Sequence, residues 1–391
     1  MIPLSMLILA DENIPYVKEA FREFGEVITI SGREITRENT RDADVLLVRS
    51  ITKVNKELLE GSKVKFVGTA TIGFDHIDVE FLKRSEIKFA SAPGSNANSV
   101  AEYVISGLLY LEKNFGYSLK YKKIGILGVG NVGSKVLKKV ISLGIIPILY
   151  DPPLAEKIDK PIFNTLEEIH DCDIITLHVP LEKGGRYPTY HMINSDFFYS
   201  LKRKVVFINT SRGGVVATKS LIEAIKKGIV THSIVDVWEN EPNINLELLN
   251  LVTLATPHIA GYSFDGKVNG TYQLYHAFCQ YIGKQPTWDF KSCLPTPDIK
   301  LIDLDTNKPY WLHDSVHKIY PIFEDDKRLR EISAKSEDQR GKFFDQLRKN
   351  YPIRREFHNT TIRLSSKDAN WEIINVLEGI GFKVARTQNN A

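Results

Sequence analysis

Several things are scarce in this sequence, and each scarcity excludes a class of protein. Only three cysteines, Cys172, Cys279 and Cys293, occur in 391 residues. They follow no CxxC or metal-ligand spacing and their odd count argues against a disulfide framework, so no metal is expected and a reducing cytoplasm fits best. No run of about 18 apolar residues exists, which argues against a membrane-spanning helix. The apolar start, Met1 to Ala10, has no cationic stretch before it and runs straight into Asp11 and Glu12, so it reads as a first β-strand and not as a signal peptide. Charge of one sign is also scarce. The net charge is +3: residues 1–290 carry 33 Lys and Arg against 33 Asp and Glu, and residues 291–391 carry 18 against 15. A surplus of three is far from the basic stripe that phosphate-backbone binding needs, so nucleic acid is not expected as a partner.

What is present is globular: 43% hydrophobic and 25% charged residues, with a length that predicts two to three domains of roughly 150 residues. Through the first 260 residues, short apolar runs alternate with amphipathic stretches: LILA, DVLLVRS, KFVGTA, KFASA, KIGILG, IPILYD, DIITLHVP, KVVFINTS, HSIVDVW and VTLATPH. Runs apolar throughout are what parallel strands covered on both faces require, and strand–helix–strand alternation predicts doubly wound α/β architecture. Two such Rossmann-like units are expected. The first ends near Pro93 and Gly94, where Asn96 or Ser99 can cap a helix with Val100, Val104, Ile105 and Leu108 on one side. The second opens at Lys122. A helix from Gly266 to Gly283 follows, then a linker at QPTW. Past residue 290 come Pro, Asp and Tyr-rich turns, one charged helical stretch from Lys327 to Lys349, and a strand, helix and strand in TTIRL, WEIINVLEGIG and FKVA. These predict a small α+β module at 291–391, with only the final TQNNA expected to be disordered.

The segment KIGILGVGNVGSKV places Gly128, Gly130 and Gly133 in GxGxxG spacing between an apolar strand and a helix. Gly128 allows the tight turn, Gly130 lets backbone approach a pyrophosphate, and Gly133 lets helix pack on strand. The helix N-terminus offers unpaired N–H groups to the phosphates. The next strand ends in Asp151, 18 residues beyond Gly133, where a carboxylate can accept hydrogen bonds from ribose hydroxyls and repel a 2′-phosphate, so NAD is favoured over NADP.

Three later strand ends carry Arg212 in INTSRGG, Glu241 in DVWENEP and His258 in TPHIAG. Singly, each has an ordinary reading as a loop cap, a turn residue or a structural histidine. Together they sit where open α/β sheets bind ligands. Oxidation of a 2-hydroxy acid needs such a set: an imidazole as base, a carboxylate to fix its tautomer and raise its basicity, and a guanidinium to hold the substrate carboxylate.

In motif content and order, GFDHIDVEFL (Gly73–Leu82), GVGNVG, NTSRGGVV, DVWENEP and PHIAG, residues 1–290 resemble the D-isomer-specific 2-hydroxyacid dehydrogenases. The resemblance implies that Arg212, Glu241 and His258 are the catalytic residues, with His258 the proton donor in the reductive direction. It also implies a substrate domain from residues 1–95 and 265–290, an NAD domain over 96–264, and a cleft between them. LADENIPYV, LLVRSITKVN, SAPGSNA, YDPP and AGYSFDGKVNGT look like one branch of that family, which acts on a phosphorylated four-carbon 2-hydroxy acid in vitamin B6 biosynthesis and forms homodimers through an extra C-terminal domain. Carried over residue by residue, Ser50, Thr71 and Tyr262 would bind substrate, and Asn131, Val132, Asp151, Val179, Thr210, Ser211, Asp236 and Gly261 would line NAD beside the glycine loop. Val179 stands where Thr is common, and Ser95 and Ser211 where Cys can appear. Arg49, Lys53 and Lys267 could supply charge to a phosphate, and the residues leave open which cations bind it and whether tail cations such as Arg348, Arg354 or Arg355 reach across a dimer into the partner's site. Two alternatives remain: 3-phosphoglycerate or another D-2-hydroxy acid as substrate, and an NAD-sensing, corepressor-like binding protein.

Overall fold

The computed structural model describes residues 6–158, 162–366, 368 and 370–386. The expected disordered end, 387–391, and the first five residues of the expected opening strand lie outside them. The chain forms two compact units, Met1–Asn96 with Ser263–Pro295, and Ala97–Tyr262 with Thr296–Ala391.

The first unit holds a five-stranded sheet of β1 (Met6–Asp11), β2 (Gly25–Ile30), β3 (Val45–Val48), β4 (Phe66–Thr69) and β5 (Lys88–Ala90), all parallel, in the order β2-β1-β3-β4-β5. Every residue of β3 and β4 is buried, as continuous apolar strands must be. Strand β2, GEVITI, was not evident as an apolar run: it is an edge strand that leaves Glu26 and Ile28 exposed. The returning helix Phe264–Ile282 is capped by the Ser263 hydroxyl, which accepts from Gly266 N, and ends at Gly283. Its Leu274, Tyr275, Phe278 and Cys279 complete the core around Phe21, Phe24 and Phe66.

The second unit is built on β6 (Lys123–Leu127), β7 (Ile146–Tyr150), β8 (Ile174–Leu177), β9 (Val205–Asn209), β10 (Val230–Val235) and β11 (Leu254–Ala255), again all parallel, in the order β11-β10-β9-β8-β6-β7. Helix Ala97–Phe115 buries Val100, Val104, Ile105 and Leu108 as their spacing predicts. Ser99 lies within this helix, and its hydroxyl donates to the Ala260 carbonyl at 2.9 Å.

Beyond residue 296 a parallel three-stranded sheet, β12 (Leu301–Asp303), β13 (Thr361–Leu364) and β14 (Lys383–Arg386), runs in the order β12-β13-β14. The segment has no separate core. Ile302, Leu364, Leu377 and Phe382 pack with Val104, Leu108, Ile126 and Val140, while Leu329, Ile332 and Phe344 join Phe207 and Leu249. Three short strands and a few helices bury too little apolar surface to stand alone, so they lean on the six-stranded sheet. The single charged helix expected from Lys327 to Lys349 is instead two helices, Ile322–Arg330 and Glu337–Lys349. Lys335 and Ser336 are extended between them, a break that lets Ile332 and Phe344 enter the same core. Among the described residues, no helix is long and apolar enough to cross a membrane.

A buried polar cluster ties the C-terminal segment to helix Ala97–Phe115. Glu102 accepts from Arg354 Nη1 at 3.3 Å, Phe357 N at 2.9 Å and Asn98 Nδ2 at 3.0 Å, and Asn98 also donates to Glu356 at 2.6 Å. Burial, with the Glu356 charge, pushes the Glu102 carboxyl up to about 8. A carboxyl raised on folding contributes stability that is fully present below the unfolded value of 4.5 and is lost as pH rises through about 8, at up to about 1.4 kcal/mol per pH unit. Denaturant titrations of the wild type should show stability falling across that window, and E102Q, which cannot ionise, should flatten the slope. An equal slope in E102Q would assign the pH dependence elsewhere.

Candidate active site

Strand order decides which loops meet. From β6 the chain passes to β7 on one side and then to β8 on the other, which creates the switch point where open parallel sheets hold ligands at their carboxyl edge. The glycine loop follows β6, Asp151 follows β7, Val179 lies beyond β8, Thr210, Ser211 and Arg212 follow β9, Asp236 and Glu241 lie beyond β10, and His258 beyond β11. At about 4.8 Å per strand, the step from β7 to β10 is roughly 19 Å, room for an extended dinucleotide with Asp151 at one end and the Glu241 loop at the other.

The glycine loop is shaped as its spacing predicts. Gly128 has φ 88°, and a side chain there would meet the His178 carbonyl oxygen at 2.7 Å. A Cβ on Gly133 would lie 2.0 Å from the Gly128 oxygen, whereas one on Gly130 would meet nothing within 4 Å. This open face lies at the start of helix Asn131–Ser142, whose first turn holds Asn131 and Val132, so backbone amides are left to a phosphate. The Asp151 carboxylate accepts from Val129 N at 2.7 Å and Leu154 N at 3.0 Å, which couples the end of β7 to the loop. A carboxylate held there suits ribose hydroxyls and opposes a 2′-phosphate.

The remaining residues expected at the cofactor divide into two sets. Val179 sits against Gly128, Thr210 Oγ1 lies 3.3 Å from His178 Nδ1, and Gly261 follows the His258 loop. Two others turn inward. Ser211 is buried and bonds Asn209 Oδ1 through both its amide and its hydroxyl. Asp236 is 1% exposed, and its carboxylate accepts from Thr256 Oγ1 at 2.6 Å, Ile259 N at 2.7 Å and Ala260 N at 3.0 Å. Its main-chain oxygen accepts from His258 N at 2.7 Å. Burial raises the Asp236 carboxyl, against the opposing influence of His258 and these hydrogen bonds. Asp236 is thus the internal brace of the loop that carries His258. Sequence reading had no signal for His178, which bridges Thr176 Oγ1 at 3.0 Å and Thr210 and is driven down to about 3 by desolvation, so its ring is neutral.

His258 has φ 57°, the left-handed region in which a non-glycine residue is strained and which recurs at functional sites. Its Nδ1 lies 2.7 Å from Glu241 Oε2, and Glu241 Oε1 accepts from Trp238 N at 2.7 Å. Burial by itself would raise the Glu241 carboxyl, but the adjacent His258, the Trp238 amide and the Arg348 charge hold it below its ordinary value. Trp238 Nε1 donates to the Thr256 carbonyl at 2.9 Å and so joins the two loops. The Arg212 loop is locked to the same place: a Cβ on Gly213 would lie 2.0 Å from the Trp238 carbonyl, and Arg212 Nη1 donates to Ser211 O at 2.8 Å. A second pair, His191 Nε2 with Glu239 Oε1 at 2.6 Å, anchors this loop through the bond from Thr218 N to Glu239; two glutamates at alternate positions in DVWENEP were the available signal for it. Tyr262 stacks edge-on against Tyr351, 5.9 Å between ring centres, with Arg348 over its ring at 5.6 Å.

Ser50 and Thr71 belong to the first unit, just past the neighbouring strands β3 and β4. Thr71 Oγ1 donates to Gly73 O and meets Thr69 Oγ1 at 2.7 Å. Arg49 donates to Asn13 O at 3.4 Å. Of the tail cations, Arg354 is buried against Glu102, Ser99 and the Tyr320 ring, and Arg355 bonds Asn359.

A family model for the D-isomer specific 2-hydroxyacid dehydrogenase NAD-binding domain matches residues 97–260, and one described as a domain of unknown function matches 293–377. The erythronate-4-phosphate dehydrogenase of Proteus mirabilis is 42% identical over 379 residues, 96% of this chain and 99% of that protein. Its counterpart in Bacteroides thetaiotaomicron is 46% identical over 358 residues, 90% of this chain and 97% of that one. The chain belongs to the erythronate-4-phosphate dehydrogenase family. It is an NAD-dependent D-2-hydroxyacid dehydrogenase. Among solved structures, the NAD-bound 3-phosphoglycerate dehydrogenase of Entamoeba histolytica matches with a TM-score of 0.62 at 28% identity, covering 71% of this chain and 96% of that one. The D-lactate dehydrogenase of Aquifex aeolicus, solved with NAD and lactic acid, shares the fold with a TM-score of 0.57 at 23% identity, over 71% and 95%.

Two outcomes follow for this dehydrogenase. G213A should push the Arg212 loop off Trp238 and lower kcat/KM by at least tenfold while circular dichroism stays native; unchanged kinetics would show that the packing is slack. D151A should narrow the preference for NAD over NADP, read as the ratio of kcat/KM values, and lose about 1 kcal/mol of stability with the cap on Leu154 N. An undiminished NAD preference would remove Asp151 from cofactor selection.

Proposed function

We propose that this dehydrogenase oxidises C2 of 4-phospho-D-erythronate to give 2-oxo-3-hydroxy-4-phosphobutanoate, a step of vitamin B6 biosynthesis in the cytoplasm. The observation that carries the reading is the 2.7 Å bond between His258 Nδ1 and Glu241 Oε2, made on loops that neighbour the glycine loop's sheet edge. With Nδ1–H donating to the ionised carboxylate, the Nε2 lone pair is left to take the C2 hydroxyl proton. Arg212 holds the substrate carboxylate and the developing oxyanion with a planar fork of donors. NAD, when bound, accepts the hydride from C2. Gly128, Gly130, Gly133 and the first turn of Asn131–Ser142 would hold its pyrophosphate, and Asp151 its adenosine ribose. Residues 1–95 and 265–290 form the substrate domain in this reading, with Ser50 and Thr71 as substrate contacts alongside Tyr262. The curated relatives at 42% and 46% identity carry the name of this substrate, which favours it over 3-phosphoglycerate.

H258Q should lower NADH production from 4-phospho-D-erythronate by about 10²- to 10⁴-fold while NADH binding, followed by fluorescence, stays within twofold. Good turnover of 3-phosphoglycerate by the wild type, with none of the four-carbon acid, would replace the proposed substrate. NAD binding without turnover of any 2-hydroxy acid would replace the enzyme reading with a sensor.

The same reading makes the protein a homodimer through residues 291–391, where Trp371 and Ile353 are 76% and 60% exposed, large apolar side chains that a partner would cover. Light scattering should give twice the 44.4 kDa chain mass, falling toward one chain in W371E. A monomeric wild type would end this assignment.

A further inference from the structure

Helix Glu337–Lys349 lies on the loops that carry Glu241 and His258. A Cβ on Gly341 would sit 3.0 Å from Asn243 Oδ1 and 3.3 Å from Pro242 Cγ, and Leu347 and Tyr351 line a cavity together with Pro257. The helix delivers Arg348 to this place, with its guanidinium over the Tyr262 ring. Arg348 Nε is shielded from solvent and has no hydrogen-bond partner among the described residues. A cation brought to the loops of Glu241 and His258 by the C-terminal segment is not needed to hold the helix, which already has Phe344 in the core.

We propose that Arg348 is a positioning residue of the active site: seated on Tyr262 beside Glu241, it places a fixed positive charge behind the His258–Glu241 pair and sets the pH at which that pair takes and gives its proton. This rests on the reading of His258 and Glu241 as the acid/base pair. Arg348 is one of the groups that hold Glu241 ionised, and although burial opposes its own charge, Tyr262, Glu241 and Asp345 sustain it. Among the described residues, Asp236, beneath the His258 loop, and Tyr351, which packs on Tyr262 and bonds Asp325 at 2.9 Å, are further titratable groups at the assembly.

The sign follows from charge. With Arg348 neutralised, the imidazolium faces Glu241 with no opposing cation, so the pair keeps its proton to higher pH. Oxidation needs the neutral imidazole, so the acid limb of kcat/KM should move up by about one pH unit, a tenfold loss near neutrality that recovers at alkaline pH. Reduction of the 2-oxo acid needs the imidazolium, so its alkaline limb should move up as well, extending activity to higher pH.

The test is a pair of full pH profiles, in both directions, for wild type, R348Q and R348K. R348K keeps the charge and should keep both limbs in place even if KM rises, and it also serves should R348Q fail to fold. Displaced limbs in R348Q with limbs held in R348K are the expected result. Loss by the same factor at every pH and in both directions, or limbs of R348K displaced as far as a neutral side chain would displace them, would overturn the proposal. A wild type without turnover would instead overturn the function proposed above, so the two failures are distinguishable.

Discussion

The buried carboxylate of Asp236 is the constraint on which the site depends. A charged group 1% exposed to solvent is costly unless its acceptor sites are filled, and here they are filled by Thr256, Ile259 and Ala260. These bonds bend the chain after β11 into the turn that holds His258 at φ 57° and directs its ring at Glu241. Trp238, two residues beyond Asp236, donates its amide to Glu241 and its indole N–H to Thr256. One short stretch after β10 therefore fixes His258, its carboxylate partner Glu241 and, through Gly213, the loop of Arg212.

Strain of this kind persists only when its surroundings determine it strongly, and the C-terminal segment is part of those surroundings. Asp326 accepts from Ala255 N at 2.8 Å, at the end of β11, and Arg330 bonds both Asp326 and the carbonyls of Leu249 and Val252. The segment thus clamps the strand from which the His258 loop departs. Its sharing of a core with the nucleotide-binding sheet is the physical basis on which residues far along the chain can act on the His258–Glu241 pair.

Much of this was legible in the sequence because it obeys local rules. Continuous apolar runs marked the buried strands, the GxGxxG spacing marked the turn at Gly128 and the close approach at Gly133, and strand-end positions marked Arg212, Glu241 and His258. What was not legible depended on tertiary contact. Edge strand β2 has no continuous apolar run, since one side faces water. The inward turn of Ser211 and Asp236 depends on which backbone amides come within reach, which spacing does not show. The break at Lys335–Ser336 follows from where Ile332 and Phe344 must pack, and Arg348 is one cation among many in a charged helix until that helix is docked.

In the proposed reaction, hydride passes directly from C2 of 4-phospho-D-erythronate to NAD while His258 takes the hydroxyl proton. Supplying the acid deuterated at C2, and following the label by mass spectrometry together with the rate, tests this transfer. One deuterium is expected in each NADH formed and none in water. Label appearing in solvent, or NADH formed without it, would contradict it.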